Sequence, residues 1–373
     1  MADPISHEAP ARKGQDLPVM LPGKLIGRDD TLRRVYAQLK DNKPALIFGA
    51  SGIGKTALVA TLANAYTELP GGVLWMHVEN TSFAELIVRV GRAYNIAELI
   101  TTDNPLSLVG VAASALSQHK PLIVFDGKPD PAATSDFITR CADRLPVLIA
   151  SEDEISGKWT SFRLNKLEPE QASMMYRQLA DPSVPLDGLN GLTAALDYTP
   201  FAIATAAGIS HLKKLPPSQF LATLPPQGQS AGVTPQLSAL TAAFRSLNSA
   251  LQGLVLVMGG TLRGEASAEL ISMIAGAPVE AIQQPMSLLA QYRLVERFER
   301  YDRPYYRLHP ITFLFAQSWL RGSGRLDALQ TKFRDSLLAY TKKYAAQQRA
   351  GHDHLAAEID NITATAQRAA DLG

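Results

Sequence analysis

Ala45-Leu46-Ile47-Phe48-Gly49-Ala50-Ser51-Gly52-Ile53-Gly54-Lys55-Thr56-Ala57-Leu58-Val59 is the stretch that decides the fold. A short apolar run meets a glycine-rich turn, and Lys-Thr then opens a helix-like segment. This is the G-x-x-x-x-G-K-[ST] phosphate loop with a strand before it and a helix after it, the context in which the motif has a mechanism. Gly49, Gly52 and Gly54 reach backbone angles closed to other residues and let main-chain N–H groups turn inward onto an anion. The backbone through Ser51 and Ile53 completes that lining, and Ala57 follows in the first turn of the helix. Lys55 adds a point charge at the outer phosphates, Thr56 offers a hydroxyl to Mg²⁺, and the helix aims its positive end at the same place. These residues predict binding of a nucleoside triphosphate or its diphosphate.

The rest of the chain sets bounds on that reading. Its 373 residues exceed one ordinary core, which predicts about two to three domains. Apolar residues at 46% and charged residues at 19% are the proportions of a soluble globular protein. A net charge of +1 creates no long-range field for nucleic acid or anionic lipid. One cysteine, Cys141, allows no intrachain disulfide and fits a reducing compartment, so a cytoplasmic location is expected; its place in a helix predicts a plain buried or half-buried thiol. No apolar stretch approaches the roughly 20 residues needed to span a bilayer. Residues 1–22 are polar, carry several prolines and lack a hydrophobic signal core, so they are expected to be a disordered tail, in part a cloning remnant.

Periodicity predicts a helix over Asp29–Leu39, strands over Val73–Val78, Leu122–Asp126, Val147–Ala150 and Phe162–Leu164, and helices over Phe83–Tyr94 and Ser107–Gln118. Short apolar strands alternating with helices imply an α/β domain, residues 23–166, with a parallel five-stranded sheet covered on both faces. Beyond Leu167 helices are expected over Glu168–Leu179, Pro185–Tyr198, Pro200–Leu212 and Ser218–Leu224, forming a small helical domain at 167–226. A Pro/Gly-rich linker follows at 225–235. Helices over Pro235–Leu247, Ser249–Met258, Ala266–Ile274 and Val279–Tyr292, a hairpin at Leu294–Phe298 and Tyr305–Leu308, and a helix over Ile311–Leu320 suggest a winged-helix domain at 235–321. Residues 325–373 are helical in pattern and read as C-terminal helices, the start of a sensor repeat region.

Asp126 closes a buried strand, where a carboxylate beside a phosphate loop holds Mg²⁺ or its water shell. An ordinary strand-end Asp that caps a turn with Gly127 is the alternative. Hydrolysing relatives often place a second acid directly after this Asp; here that position is Gly127, followed by Lys128 and Pro129. With Lys55 and Asp126 as the only catalytic groups, turnover is expected near the unassisted small-GTPase rate, on the order of 10⁻⁴ to 10⁻³ per second. Gly49-Ala50-Ser51-Gly52 is not a nucleophile elbow, because Ile53 stands where its second glycine belongs. His352 and His354 flank Asp353 without further partners for a metal.

Taken in order, the landmarks resemble the STAND class of signalling ATPases, and within it the NB-ARC (AP-ATPase) family in a bacterial form. Leu25-Ile26-Gly27-Arg28 is similar to the segment that opens the family's nucleotide domain. Leu74-Trp75-Met76-His77-Val78 is similar to its second strand, and Leu164-Asn165-Lys166-Leu167-Glu168-Pro169-Glu170-Gln171-Ala172 to its step into the first helical domain. Thr199-Pro200-Phe201-Ala202 resembles the end of the GLPL motif. Leu289-Ala290-Gln291-Tyr292-Arg293-Leu294-Val295 and Tyr306-Arg307-Leu308-His309 resemble the winged-helix segment that ends in the MHD histidine. The resemblance covers about residues 23–320, and the order of the motifs gives it specificity.

What the resemblance implies is an adenine-nucleotide switch. ADP would hold a closed resting state, ADP/ATP exchange would open it, and Mg²⁺ would accompany ATP. Gly27 and Arg28 would flank the adenine and ribose, Pro200 would pack on the nucleotide, and His309 would reach the β-phosphate of ADP. Local alternatives are a helix-start Arg28, a helix-start Pro200 and a capping or core His309. Ala150-Ser151-Glu152 stand where the family often has an Arg that senses the γ-phosphate, Tyr198-Thr199 replace Gly-Leu, and Pro310 replaces the Asp after the histidine. Expected partners are adenine nucleotide and other protein domains, or further copies of the chain on activation, with no membrane. A DNA-binding regulator is a rival reading, but the segment 278–291 carries Glu280 and no Lys or Arg, so DNA binding is not expected. An AAA-type motor is a third, lacking its second acid.

Overall fold

The computed structural model describes residues 24–67, 71–225 and 234–371. The tail expected at 1–22 and residues 226–233 of the linker expected at 225–235 lie outside the described residues. The chain divides into two compact units.

The first unit comprises Arg28–Ala50 and Lys55–Leu164. In chain order it holds α1 (Asp29–Lys40), β1 (Ala45–Phe48), α2 (Lys55–Asn64), β2 (Val73–Glu79), α3 (Phe83–Tyr94), the short α4 (Ala97–Thr101), α5 (Val109–His119), β3 (Leu122–Lys128), α6 (Pro131–Cys141), β4 (Val147–Ser151) and β5 (Thr160–Arg163). The strands form a five-stranded sheet in the order β2-β3-β4-β1-β5, with every pairing parallel. β1, β3 and β4 read as continuous apolar runs because both faces of the sheet are covered. Leu46, Ile123, Phe125, Val147 and Ile149 build one core with Leu86, Ile87 and Val90 of α3 and Phe137 of α6. Ser82 starts α3 with a capping box, its hydroxyl accepting from the Glu85 N–H at 3.2 Å while the Glu85 carboxylate accepts from the Ser82 N–H. The helix read over Ser107–Gln118 begins two residues later, behind a 3-10 turn at Pro105–Leu108. Cys141 is buried, and burial pushes its thiol up to about 11 against the opposing pull of Arg140, as suits an inert packing residue.

The second unit takes Ser51–Gly54 and runs on from Asn165, with Gly27 also belonging to it. Its elements are α7 (Pro169–Leu179), α8 (Leu189–Ala195), α9 (Pro200–Lys213), α10 (Pro217–Thr223), α11 (Pro235–Ser246), α12 (Ser249–Gly259), β6 (Glu265–Ser267), α13 (Ala268–Ala275), α14 (Val279–Gln291), β7 (Val295–Arg300), β8 (Arg303–Leu308), α15 (Pro310–Gly322), α16 (Leu326–Ala345), α17 (His352–Ala357) and α18 (Ile359–Asp371). One apolar core extends from Leu167 through α9, α11–α14 and α15 to Tyr344 of α16. β6, β8 and β7 form a three-stranded antiparallel sheet.

Two expectations are corrected here. The helix read over Pro185–Tyr198 is only Leu189–Ala195, because Gly188 at φ 75 precedes it and Asp197 and Tyr198, both at φ 53, turn the chain out of it. The helix read from Ala266 begins at Ala268; Glu265–Ser267 pair with β8 instead, and the Ser267 hydroxyl caps α13. The hairpin turns at Tyr301 and Asp302, both with positive φ, the conformation that suits a tight two-residue connection. Arg300 and Arg307 of this hairpin are not surface charges. Both are buried, and the Arg307 guanidinium donates to the Glu265 carboxylate at 2.6 Å, with Arg300 at 3.8 Å. Glu358 lies in the same buried network, accepting from the Ser267 N–H at 2.7 Å and from Asn361 at 2.7 Å.

Candidate phosphate-binding site

Parallel pairing sets the geometry. β4 lies between β1 and β3, so Phe48, Ser151 and Gly127 stand in register at the carboxyl ends of adjacent strands, the edge where open α/β sheets bind ligands. The chain leaves β1 at Gly49, whose φ of 149 glycine tolerates readily, and α2 begins at Lys55. The Lys55 ammonium donates to the carbonyls of Gly49 at 2.7 Å and Ala50 at 3.1 Å. Burial pulls Lys55 below the usual lysine range, while the carboxylates of Glu152, Asp126 and Asp153 act in the other direction. Thr56 donates from its hydroxyl to both oxygens of Asp126, at 3.1 and 3.3 Å. Ala57 is the third residue of α2.

A hydroxyl and a buried carboxylate in contact, beside an ammonium and a helix N-terminus, suit an anion with a hard divalent cation. Thr56 and Asp126 are the residues that would hold Mg²⁺, with phosphate oxygens and water as its other ligands. Among the described residues no group of three or more His, Cys, Asp or Glu could hold a metal on its own. The sequence reading of His352 and His354 gains nothing: His354 is buried and stacks on Tyr344 at 3.5 Å. Gly127 also has a structural cause. At φ 132, a Cβ there would lie 2.3 Å from the Val78 carbonyl oxygen, so no side chain, acidic or otherwise, fits after Asp126.

Arg28 starts α1 as the helix-start alternative expected, its carbonyl accepting from the Leu32 N–H at 2.8 Å. The residue is nevertheless only 9% exposed, and burial lowers its pKa. Burying a guanidinium to that degree goes beyond what a surface helix start requires.

The crest of the loop, within the second unit, is tightly packed on one side. Gly52 has φ 77, and a Cβ there would lie 2.8 Å from the Phe201 Cβ and 3.2 Å from the Ile311 Cδ1. Its carbonyl accepts from the Phe201 N–H at 3.0 Å. Ile53 is buried, whereas a Cβ on Gly54, at φ 95, would meet nothing within 4 Å. One glycine is demanded by a neighbour, and the other faces open space. Gly27 is favoured by its φ of 70; the atoms a Cβ there would meet, led by the Gln171 Oε1 at 2.4 Å, are the end of a flexible side chain.

Pro200 is the first residue of α9 and is buried, as the helix-start alternative expects. His309 is the N-cap of α15, its Nδ1 accepting from the Ile311 N–H at 3.2 Å. An Nδ1 that accepts carries no proton, so the neutral ring bears its N–H on Nε2. The ring also stacks on Phe201, centroid to centroid 4.4 Å. Within the second unit the structure therefore joins Gly52, Phe201, His309 and Ile311 in one packed group. Phe201 and Ile311 were not among the site residues expected from the sequence; the available signal was a large aromatic directly after the helix-start proline.

Among the described residues no helix is long and apolar enough to cross a membrane. Comparison with models of known protein families finds no match. Among solved structures the chain is similar to a Signal Transduction ATPase with Numerous Domains (STAND) protein with a tetratricopeptide repeat sensor from Pyrococcus horikoshii. The TM-score is 0.58 at 14% identity, over 82% of this chain and 44% of that one. Among curated proteins it is 28% identical over 85 residues to the disease resistance protein RFL1 of Arabidopsis thaliana, a match covering 21% of this chain and 9% of that protein. The chain spans less than half the length of either. Together with the parallel sheet and its phosphate loop, the structural likeness establishes the fold of the first unit as that of a P-loop NTPase.

Proposed function

We propose that this chain is an adenine-nucleotide-dependent signalling switch of the STAND class, with NB-ARC character. ADP holds a closed resting state, exchange for ATP opens it, and slow hydrolysis restores it. The observation that carries the reading is the packed group at the loop crest, where Phe201 bonds to the Gly52 carbonyl and stacks on His309. A change at the phosphates is thereby felt at the N-terminus of α15. The choice of adenine rests on the resemblance of the ordered motifs and on the likeness to a protein named as a STAND ATPase.

In this reading Gly49, Ser51, Gly52, Ile53, Gly54 and Ala57 present main-chain N–H groups to the phosphates, and Gly27, Arg28 and Pro200 serve the nucleoside. Lys55 takes the outer phosphates and Asp126 steadies the metal. Magnesium, when bound, neutralises phosphate charge. Residues 167–226, 235–321 and 325–373 act as a helical module, a winged-helix module and the start of a sensor region, with other domains or further copies of the chain as partners. DNA is not among them: α14 buries Ile282, Met286 and Leu289 and carries Glu280 as its only charge.

A ligand that binds both conformations equally shifts nothing, so a switch needs a group that meets the nucleotide in one state only. His309, with its N–H on Nε2, is that group. One charge-assisted hydrogen bond is worth about 1.5–3 kcal/mol, or roughly 10- to 100-fold in ADP retention. The test is the dissociation rate of a fluorescent ADP. His309→Asn keeps an acceptor for the Ile311 N–H while withdrawing the ring, so it separates latch from cap. ADP leaving His309→Asn faster by about 10-fold or more supports the latch; an unchanged rate dismisses it.

A further inference from the structure

Lys55 stands among carboxylates in a way the bare motif does not require. Glu152 follows directly on β4, and its carbonyl accepts from the Gly49 N–H at 3.2 Å, so its backbone is pinned to the first residue of the phosphate loop. The pairings of β4 with β1 and with β3 place Glu152 one residue beyond the rung that joins Phe48, Ser151 and Gly127. Asp153 comes next, so acidic side chains leave the sheet edge where the loop and the Asp126 strand both end. Their fields reach the Lys55 ammonium, that of Glu152 more strongly than that of Asp126 itself. Lys55 already spends N–H donors on the carbonyls of Gly49 and Ala50.

The phosphates differ in what they need. Main-chain N–H groups of the loop cradle the inner ones, whereas a third phosphate depends on the lysine and the metal. It also brings further negative charge to the Lys55 ammonium, which the fields of Glu152 and Asp153 already reach. We propose that Glu152 makes this site selective for nucleoside diphosphate, its carboxylate at the end of β4 opposing the third phosphate of a triphosphate. The inference rests on the reading of the loop as a nucleotide site. It gives a physical cause for a resting state that favours ADP: triphosphate enters against a fixed charge and binds well only when that charge is displaced or screened.

The experiment is calorimetric titration of the purified full chain, first stripped of bound nucleotide, with Mg-ADP and with the Mg β,γ-imido triphosphate, for wild type, Glu152→Gln and Asp153→Asn, at low and high salt. Glu152 is exposed, so its amide variant should melt as wild type does. Wild type is expected to bind the diphosphate more tightly. Glu152→Gln is expected to tighten the triphosphate about three- to tenfold and to leave the diphosphate within about twofold, an effect that shrinks at high salt. Asp153→Asn should act in the same direction but less. Equal shifts for both nucleotides, or none for either, overturn the inference while the nucleotide site stands. A wild-type chain that binds neither nucleotide overturns the site itself, and the inference with it.

Discussion

Replacing Gly52 with alanine tests the packed crest most sharply. The new Cβ would lie 2.8 Å from the Phe201 Cβ, 3.2 Å from the Ile311 Cδ1 and 3.4 Å from the Phe201 Cγ. Because the first contact is with a Cβ rooted on helix α9, the neighbour cannot swing aside as a side-chain tip would. The φ of 77 adds left-handed strain of about 1–2 kcal/mol for any residue with a Cβ. Overpacking adds about 1–3 kcal/mol, for a total of roughly 2–5 kcal/mol. Gly54→Ala is the internal control, because it also has positive φ but its Cβ would meet nothing within 4 Å. Urea denaturation without nucleotide should therefore place Gly52→Ala below Gly54→Ala by about 1–3 kcal/mol. Adding ADP at about 100 times its dissociation constant should stabilise wild type by about 2.7 kcal/mol and neither variant by as much. Equal urea midpoints for the two variants would refute the claim that Phe201 and Ile311 are seated on the loop.

Gly127→Glu, which supplies the acid missing after Asp126, is expected to lose stability without gaining turnover. Its Cβ would meet the Val78 carbonyl oxygen at 2.3 Å and the His77 Cε1 at 3.2 Å; a well-folded variant releasing phosphate faster than wild type would contradict this. Acid should loosen the C-terminal helices. Burial, with Arg303 assisting, holds the His354 pKa below its ordinary 6.5. The stability it contributes is complete above pH 6.5 and is lost as pH falls through the lowered value. Burial alone would raise Glu269, but hydrogen bonds from Lys343 and Tyr344 outweigh it and leave the carboxyl below its ordinary 4.5, so its contribution fails at still lower pH. Melting temperature should fall steadily on acidification from pH 6.5, and a His354→Gln chain should show a flatter upper limb; a flat wild-type profile would refute the assignment.

The α/β unit was legible because its signals are local. A buried strand, a glycine turn and Lys-Thr lie within one short stretch, and each parallel strand is an apolar run bounded by turns. Asp126 closes one of these runs, and the structure sets its carboxylate against the Thr56 hydroxyl. The failures are non-local. Glu265-Ala266-Ser267 has no strand pattern; β8 makes it a strand, and a glutamate there is tolerated only because Arg307 and Arg300 meet it in the interior. Nothing in the hairpin's own sequence points to Glu265, the buried partner that Arg300 and Arg307 share. Phe201 and Ile311 could be recognised as apolar helix residues, but nothing in their own neighbourhood points to Gly52. The Pro185 helix was over-extended because the positive φ at Asp197 and Tyr198 leaves no mark in composition.

The nucleotide content of the chain as purified tests the central claim most directly. Heat extraction followed by ion-exchange chromatography of the supernatant should yield ADP close to one per chain, with ATP a minor fraction. An empty chain that also melts at the same temperature with and without ADP would contradict the account.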